Sequence, residues 1–159
     1  HLDKLAGTTY TVAMVDVDHF KQFNDRHGHD VGDQVLKLVA GELGDVLGGG
    51  KAYRYGGEEF AIVFPAKDRD HAYGHLEVLR KTIEETEFTV RRLVRRRRAS
   101  EATKTKTTKK KGPTDKLSVT VSIGVAERSK KNSTDEEVVK AADQALYRAK
   151  KKGRNRVAR

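Results

Sequence analysis

Four carboxylates in this 159-residue chain stand where hard-ligand chemistry is possible. Asp16 and Asp18 lie two residues apart at the end of an apolar run, and Glu58 and Glu59 directly follow Gly56-Gly57. Carboxylates at the margin of a buried strand cost stability unless something binds them, and adjacent glutamates at a hairpin mouth repel each other. A cation or a substrate proton would relieve that strain. A solvated turn with two surface glutamates is the alternative reading. With no cysteine in the chain and no His pattern beside the acids, oxygen ligands select Mg2+ or Mn2+ over zinc. Two such ions about 3.5–4 Å apart would polarise an attacking hydroxyl and stabilise a leaving pyrophosphate.

Phosphate would be met by a helix starting near Phe20 and Lys21, whose first N–H groups lack intrahelical partners. Lys21 adds a point charge there. Lys150 and Arg154 come after a helix that folds back on the sheet, where they could clamp terminal phosphates. Singly, each of these cations reads first as a solvated surface charge. Asn24 can donate and accept, and Asp33 can accept from a guanine N1–H and exocyclic amine. Both also suit a turn or a helix cap.

These residues need elements to hold them. The run over residues 10–17 (Tyr-Thr-Val-Ala-Met-Val-Asp-Val) predicts a strand buried on both faces. Residues 19–25 predict a short helix broken by Gly28. Val31, Val35, Val39, Leu43 and Leu47, widened by Leu36 and Val46, predict a helix packed on the sheet and ending near Gly48-Gly49-Gly50. No Gly-Lys-Ser/Thr follows that triplet, so it reads as a loop and not as a phosphate loop. Aromatic and β-branched runs on either side of Gly56-Gly57 predict a β-hairpin whose glycines supply positive φ.

Ala72, Leu76, Leu79 and Ile83 mark a further helix over 69–86, and residues 88–94 a strand. Residues 117–125 alternate polar and apolar and predict one more strand. Ser133 with Glu136 predicts a capping box for a helix carrying Val138, Val139, Ala142, Ala145, Leu146 and Ala149, which stops near Gly153. A short strand over 155–157 closes the chain. This order implies the α/β class, an α+β sandwich with a mainly antiparallel central sheet and flanking helices. At this length a single domain spanning 1–159 is expected.

The net charge of +10 resembles a nucleic-acid signal until it is located. Residues 91–116 hold twelve Lys or Arg against Glu101 and Asp115, so that one segment carries the whole excess and the rest is neutral. The segment reads as a solvated insertion. No aromatic is interleaved with its cations, so nucleic-acid binding is not expected. A basic nucleic-acid or acidic-membrane module is the competing reading, and steep salt dependence would be its mark. No run reaches a membrane span and no signal peptide is visible. The absence of cysteine is consistent with a reducing cytoplasm, the setting expected for this domain, with a membrane-anchored full-length protein as the alternative.

Gly56-Gly57-Glu58-Glu59-Phe60 is an accepted form of the signature of the GGDEF family. Asp16-Val17-Asp18-His19-Phe20-Lys21, Asn24-Asp25 and Gly28-His29-Asp30-Val31-Gly32-Asp33 resemble that family's DxDxFKxxND…GHxxGD core. Residues 119–125 and 142–155 resemble its closing strand and helix. These blocks stand in family order across nearly the whole chain outside the basic segment. Together they identify it as similar to diguanylate cyclase catalytic domains, with a nucleotidyl-cyclase or polymerase-palm-like fold.

The resemblance implies that Asp16, Glu58 and the Val17 carbonyl ligate metal, two Mg2+ or Mn2+ per half-site. Glu58 would be the base for the 3′-hydroxyl, with Glu59 in the same catalytic turn as a second metal contact or support. Asn24 and Asp33 would read guanine. Lys21, Lys150 and Arg154, with the backbone of Phe20 and Lys21, would hold the triphosphate. His19 and Tyr147 are expected to pack. The implied reaction joins two GTP into cyclic di-GMP and releases two pyrophosphates across an antiparallel homodimer.

Two departures stand out. The family's opening DxLTGLxNR segment is absent, so the chain is expected to begin inside the family pattern, with any sensor or regulatory domain outside it. The family's RxxD inhibitory product site is replaced by Leu47-Gly48-Gly49-Gly50, so no feedback site of that kind is expected. A catalytically silent module that binds GTP or cyclic di-GMP is the rival reading. The carboxylates at 16, 58 and 59 argue against it.

Overall fold

Strand β1 (Tyr10–Val17) is buried along its entire length, and the sheet is built outward from both of its edges. The computed structural model describes residue 2, residues 7–92 and residues 113–159; most of the basic insertion expected at 91–116 lies outside the described residues. The elements that follow are α1 (Phe20–His27), α2 (His29–Gly44), β2 (Lys51–Arg54), β3 (Glu59–Pro65) and α3 (Arg69–Glu85). Then come β4 (Phe88–Arg91), β5 (Thr114–Leu117), β6 (Val121–Glu127), α4 (Asp135–Lys151) and β7 (Val157–Ala158). Five strands form the central sheet in the order β2-β3-β1-β6-β7, while β4 and β5 pair separately. Every pairing in the central sheet is antiparallel except β6 with β7.

Alternation along β1 divides the core between two layers, because successive side chains point to opposite faces. Ala13, Val15 and Val17 join α1, α2 and α3 residues such as Phe20, Val35, Leu43, Leu76 and Ile83 on one face. Tyr10, Val12 and Met14 meet Val138, Ala142 and Leu146 of α4 on the other. Small residues let α4 ride directly on β6. A Cβ at Gly124 would stand 2.0 Å from the Leu146 nitrogen and 2.2 Å from the Ala142 carbonyl oxygen. Asp16 continues the α4 side of the alternation, which explains how a residue of α4 reaches it.

Several boundaries differ from the sequence expectation. Helix α2 ends at Gly44 rather than near Gly48, and Leu47 is 66% exposed. The helix is closed by the Asp45 N–H on the Gly41 and Glu42 carbonyls, both at 3.2 Å, and the chain then turns through Gly48 and Gly49 at φ +79° and +82°. Neither Gly56 nor Gly57 takes positive φ. The hairpin has a four-residue connection, Tyr55 to Glu58, closed by the Tyr55 and Gly56 N–H groups on the Glu59 carbonyl at 3.0 and 3.1 Å. That longer loop escapes the positive-φ demand of a two-residue turn.

The single strand expected over 117–125 is two strands in two sheets, separated at residues 118–120. Alternation persists through the break, so the pattern could not mark it. The capping box is formed by Thr134 and Glu137, one residue later than expected. Both frames satisfy the same Ser/Thr-x-x-Glu spacing, and Ser133 adds its own bonds to the Glu137 carboxylate. Among the described residues no helix is long and apolar enough to cross a membrane.

Candidate active site

The site forms where β1 leaves the sheet. Asp16 lies opposite Glu59 on β3 and Ser122 on β6. The Val17 N–H points to the Glu58 carbonyl at 3.4 Å. The central strand thereby brings Asp16, Val17, Glu58 and Glu59 to one corner. Asp16 is only 5% exposed, and its Oδ2 accepts a hydrogen bond from Lys150 Nζ at 2.8 Å. Burial raises the Glu58 carboxyl above its usual range, and the charge of Asp16 and then of Glu59 adds to the rise while Lys150 opposes it. The corner therefore holds excess negative charge that one ammonium only partly offsets.

Among the described residues no three His, Asp or Glu side chains form a ready-made metal cage. The donors present are still of the right kind. Two oxygen carboxylates beside backbone carbonyls suit a Mg2+-like ion that keeps waters and takes further ligands from phosphate. An oxygen-only set favours such an ion over zinc. The residues fit the implied ion, and Lys150 already compensates part of the same charge.

Asp18 has a different fate from Asp16. Its Oδ1 accepts from the Ser122 hydroxyl at 2.6 Å, and its Oδ2 from the Thr120 hydroxyl at 2.7 Å and the Asn155 N–H at 3.0 Å. Its own N–H donates to the Thr120 carbonyl at 2.9 Å. Grouping Asp18 with the hard metal ligands is therefore corrected: its carboxylate is consumed in latching β1 to β6 and to the C-terminal turn.

Helix α1 begins two residues after Asp18. Its N-cap, His19, adopts the left-handed conformation (φ 56°), and no side chain caps the helix. Phe20 anchors the first turn in the core, leaving Lys21 exposed. One turn on, the Asn24 Oδ1 is buried without a hydrogen-bond partner. Gly32 is what admits that carboxamide, since a Cβ there would stand 1.8 Å from Oδ1. Asp33 follows on α2, exposed. Orphaned backbone donors and an orphaned buried acceptor thus lie on one helix, about 6 Å apart along its axis.

Lys150 pairs with Asp16, and Arg154 sits in the turn after α4 at φ 63° with its N–H on the Ala149 carbonyl. His19 and Tyr147 do not pack: His19 is exposed and Tyr147 is 60% exposed beneath the Lys151 ammonium. Phe20 already fills the space below α1, and Tyr147 lies on the outer side of α4. Two features went unread in the sequence. One is the latch of Thr120, Ser122 and Asn155 around Asp18. The other is Arg80, buried on α3 and bonded to Glu77, Glu84 and Asn155. A signal for the second existed: a charged residue inside the stripe Leu76, Leu79, Ile83, with carboxylates three residues before and four after.

The GGDEF-domain model, described as "Diguanylate cyclase, GGDEF domain", matches residues 2–99 and 91–156. The diguanylate cyclase VdcA of Vibrio cholerae is 37% identical over 153 residues, covering 96% of this chain and 39% of that protein. The diguanylate cyclase DgcP of Pseudomonas aeruginosa is 38% identical over 152 residues, covering 95% of this chain and 19% of that protein. The chain thus spans well under half the length of these relatives. Among solved structures, the GGDEF domain of DgcB from Caulobacter crescentus in complex with c-di-GMP superposes with a TM-score of 0.75 at 35% identity, over 98% of this chain and 85% of that one. The FimX GGDEF domain of P. aeruginosa, with a TM-score of 0.77 at 21% identity, shares the fold. On its sequence and on its fold, the chain belongs to the GGDEF family of diguanylate cyclase domains.

Proposed function

We propose that this domain condenses two GTP molecules into cyclic di-GMP, releasing two pyrophosphates, across an antiparallel two-fold dimer. The reading rests on one observation above all: Asp16 stands opposite Glu59 at the end of β1, with Glu58 close enough to feel the charge of both, beside the N-terminus of α1 that no side chain caps. Membership of the family supports it.

Asn24, with its unpartnered Oδ1, and Asp33 receive the guanine edge; a carboxylate at 33 favours guanine over adenine. The backbone N–H groups of Phe20 and Lys21, with the Lys21 and Arg154 side chains, hold the triphosphate. Lys150, paired with Asp16 at 2.8 Å, supplies a further positive charge for the triphosphate. Two Mg2+ or Mn2+ ions, held by Asp16, Glu58 and the Val17 carbonyl, would neutralise phosphate charge and polarise the attacking hydroxyl. Glu58, in the acidic turn beside Asp16, takes the proton of the 3′-hydroxyl. The 3′-oxygen then bonds to the α-phosphorus of the other nucleotide, the bond from that phosphorus to its bridging oxygen breaks, and pyrophosphate leaves. One half-site holds one GTP, so proximity across the two-fold is the main catalytic resource. The relatives' greater length supports an input domain elsewhere in a longer protein.

A chromatographic assay with GTP and Mg2+ at several protein concentrations tests this. Product is expected to rise more than linearly with protein and to vanish in Glu58→Ala. GTP binding without product at any concentration would replace the cyclase with a silent nucleotide-binding module.

A further inference from the structure

Residues 154 and 155 are consecutive non-glycine residues in the left-handed region, at φ 63° and 45°. Such a pair persists only where surrounding contacts over-determine it, and clusters of this kind mark functional sites. Here the contacts are unusually complete. The Asn155 N–H donates to Asp18, its Nδ2 donates to Glu84 Oε1 at 2.8 Å, and its Oδ1 accepts from Arg80 Nη1 at 2.8 Å. Two residues on, the Val157 N–H donates to Glu77 Oε1 at 3.3 Å.

Three of these anchors lie on α3, and Arg80 organises them. It is 8% exposed, and its Nη1 also reaches Glu84 Oε2 at 2.8 Å, while Nη2 and Nε reach Glu77 Oε2 at 3.3 and 3.4 Å. A planar fork satisfies two carboxylates and a carboxamide at once, which a lysine ammonium cannot reproduce. Without it Glu77 and Glu84 would repel across the turn they hold. On its far side that turn grips Asp18, two residues from Asp16. Hydrogen bonds thus link Arg80 through Asn155 to the turn that carries Arg154 and to Asp18.

We propose that Arg80 is a positioning residue of this site: acting through Asn155, it sets the left-handed turn that presents Arg154 to the nucleotide's β- and γ-phosphates. The proposal rests on the function given above. Arg80 touches no reacting atom. A residue that merely stabilised the fold would weaken every ligand alike, whereas this role is specific to the outer phosphates.

The test compares binding of GTP and GMP by the unaltered protein, Arg80→Lys, Asn155→Ala and the double variant, with Tm measured for each. Arg80→Lys is expected to lose about tenfold or more in GTP affinity, the size of one lost charge-assisted hydrogen bond. GMP affinity should stay within about twofold, and the double variant should lose no more than the larger single loss. Equal losses for the two nucleotides, no loss, or additive losses would overturn the proposal. Amide hydrogen exchange provides an arm independent of nucleotide. At Asn155 and Val157 it should quicken about tenfold or more in Arg80→Lys, with α4 unchanged. Unchanged exchange there would also overturn it. Should the unaltered protein bind neither nucleotide, the cyclase reading falls by itself, and the exchange arm alone decides whether Arg80 sets the turn.

Discussion

Asp16 and Asp18 share a charge, a strand end and near-complete burial, yet the fold treats them oppositely. Asp18 meets two hydroxyls and a backbone N–H. Asp16 meets one ammonium that is itself a third exposed. An acceptor whose bonds are all internal is structural, and one held by a single partly exposed cation is available to a ligand. Asp18→Ala is thus expected to cost about 2–4 kcal/mol in urea unfolding, since it strands buried donors and removes charge-assisted bonds. Asp16→Asn should change stability by about 1 kcal/mol or less, because the Lys150 it releases is partly solvated, while abolishing product in the GTP assay. Reversed stabilities would mean the two roles are misassigned. Both aspartates were legible as candidates in the sequence. Their division of labour was not, because hydroxyls more than a hundred residues away decide it.

Among the elements, α4 carries the most. It brings Lys150 to Asp16 and ends in the Arg154–Asn155 turn, and its seat on β6 depends on Gly124. Gly124→Ala is expected to destabilise by about 3 kcal/mol, the upper end of ordinary overpacking, because the new Cβ meets backbone atoms. Thermal melting should show a drop of roughly 6–12 °C; a loss within error would mean α4 can shift at no cost. The start of α4 predicts a pH effect. Backbone N–H bonds from Thr134 and Ser133, and then the Ser133 hydroxyl, hold the Glu137 carboxyl below its usual range. A carboxyl depressed by folding contributes stability that is complete above its unfolded value and lost as pH falls through the folded one. Urea unfolding from about pH 6 down to about pH 3 should therefore lose stability less steeply in Glu137→Gln. An unchanged slope would show that other carboxylates control acid unfolding. The helix itself was legible from its apolar spacing. Its cap falls one residue later than the spacing predicts, because Ser133-x-x-Glu136 and Thr134-x-x-Glu137 are indistinguishable until the backbone chooses.

At the scale of the molecule, the exposed corner at Leu47 to Gly50 bears on regulation. The RxxD positions of the family carry no charge here, and Leu47 is exposed at the point where the chain turns away from α2. With neither the arginine nor the aspartate to hold a phosphodiester or a guanine edge, low-micromolar cyclic di-GMP is expected to leave the rate of GTP conversion unchanged. Strong inhibition at that level would mean the product is recognised elsewhere on the surface. The charge excess of +10 is carried by residues 91–116, and the rest of the chain is neutral. The site corner itself is acidic, so on the proposed function a polyphosphate would be drawn there by locally bound cations rather than by the net charge.

By itself the sequence determined the two-faced burial of β1 and most of the helices through their apolar spacing, and it nominated the residues of the candidate site. Those features follow from periodicity and from short motifs, which are local. Tertiary structure alone decided that Lys150 rests on Asp16 across 134 residues and that Asn155 closes on Asp18 across 137. It also split residues 117–125 between two sheets and turned Arg80 inward toward the C-terminal turn. Hydrogen-bond partners so distant in sequence leave no local pattern, because any donor of the right type would read the same until the sheet order brings one of them within reach.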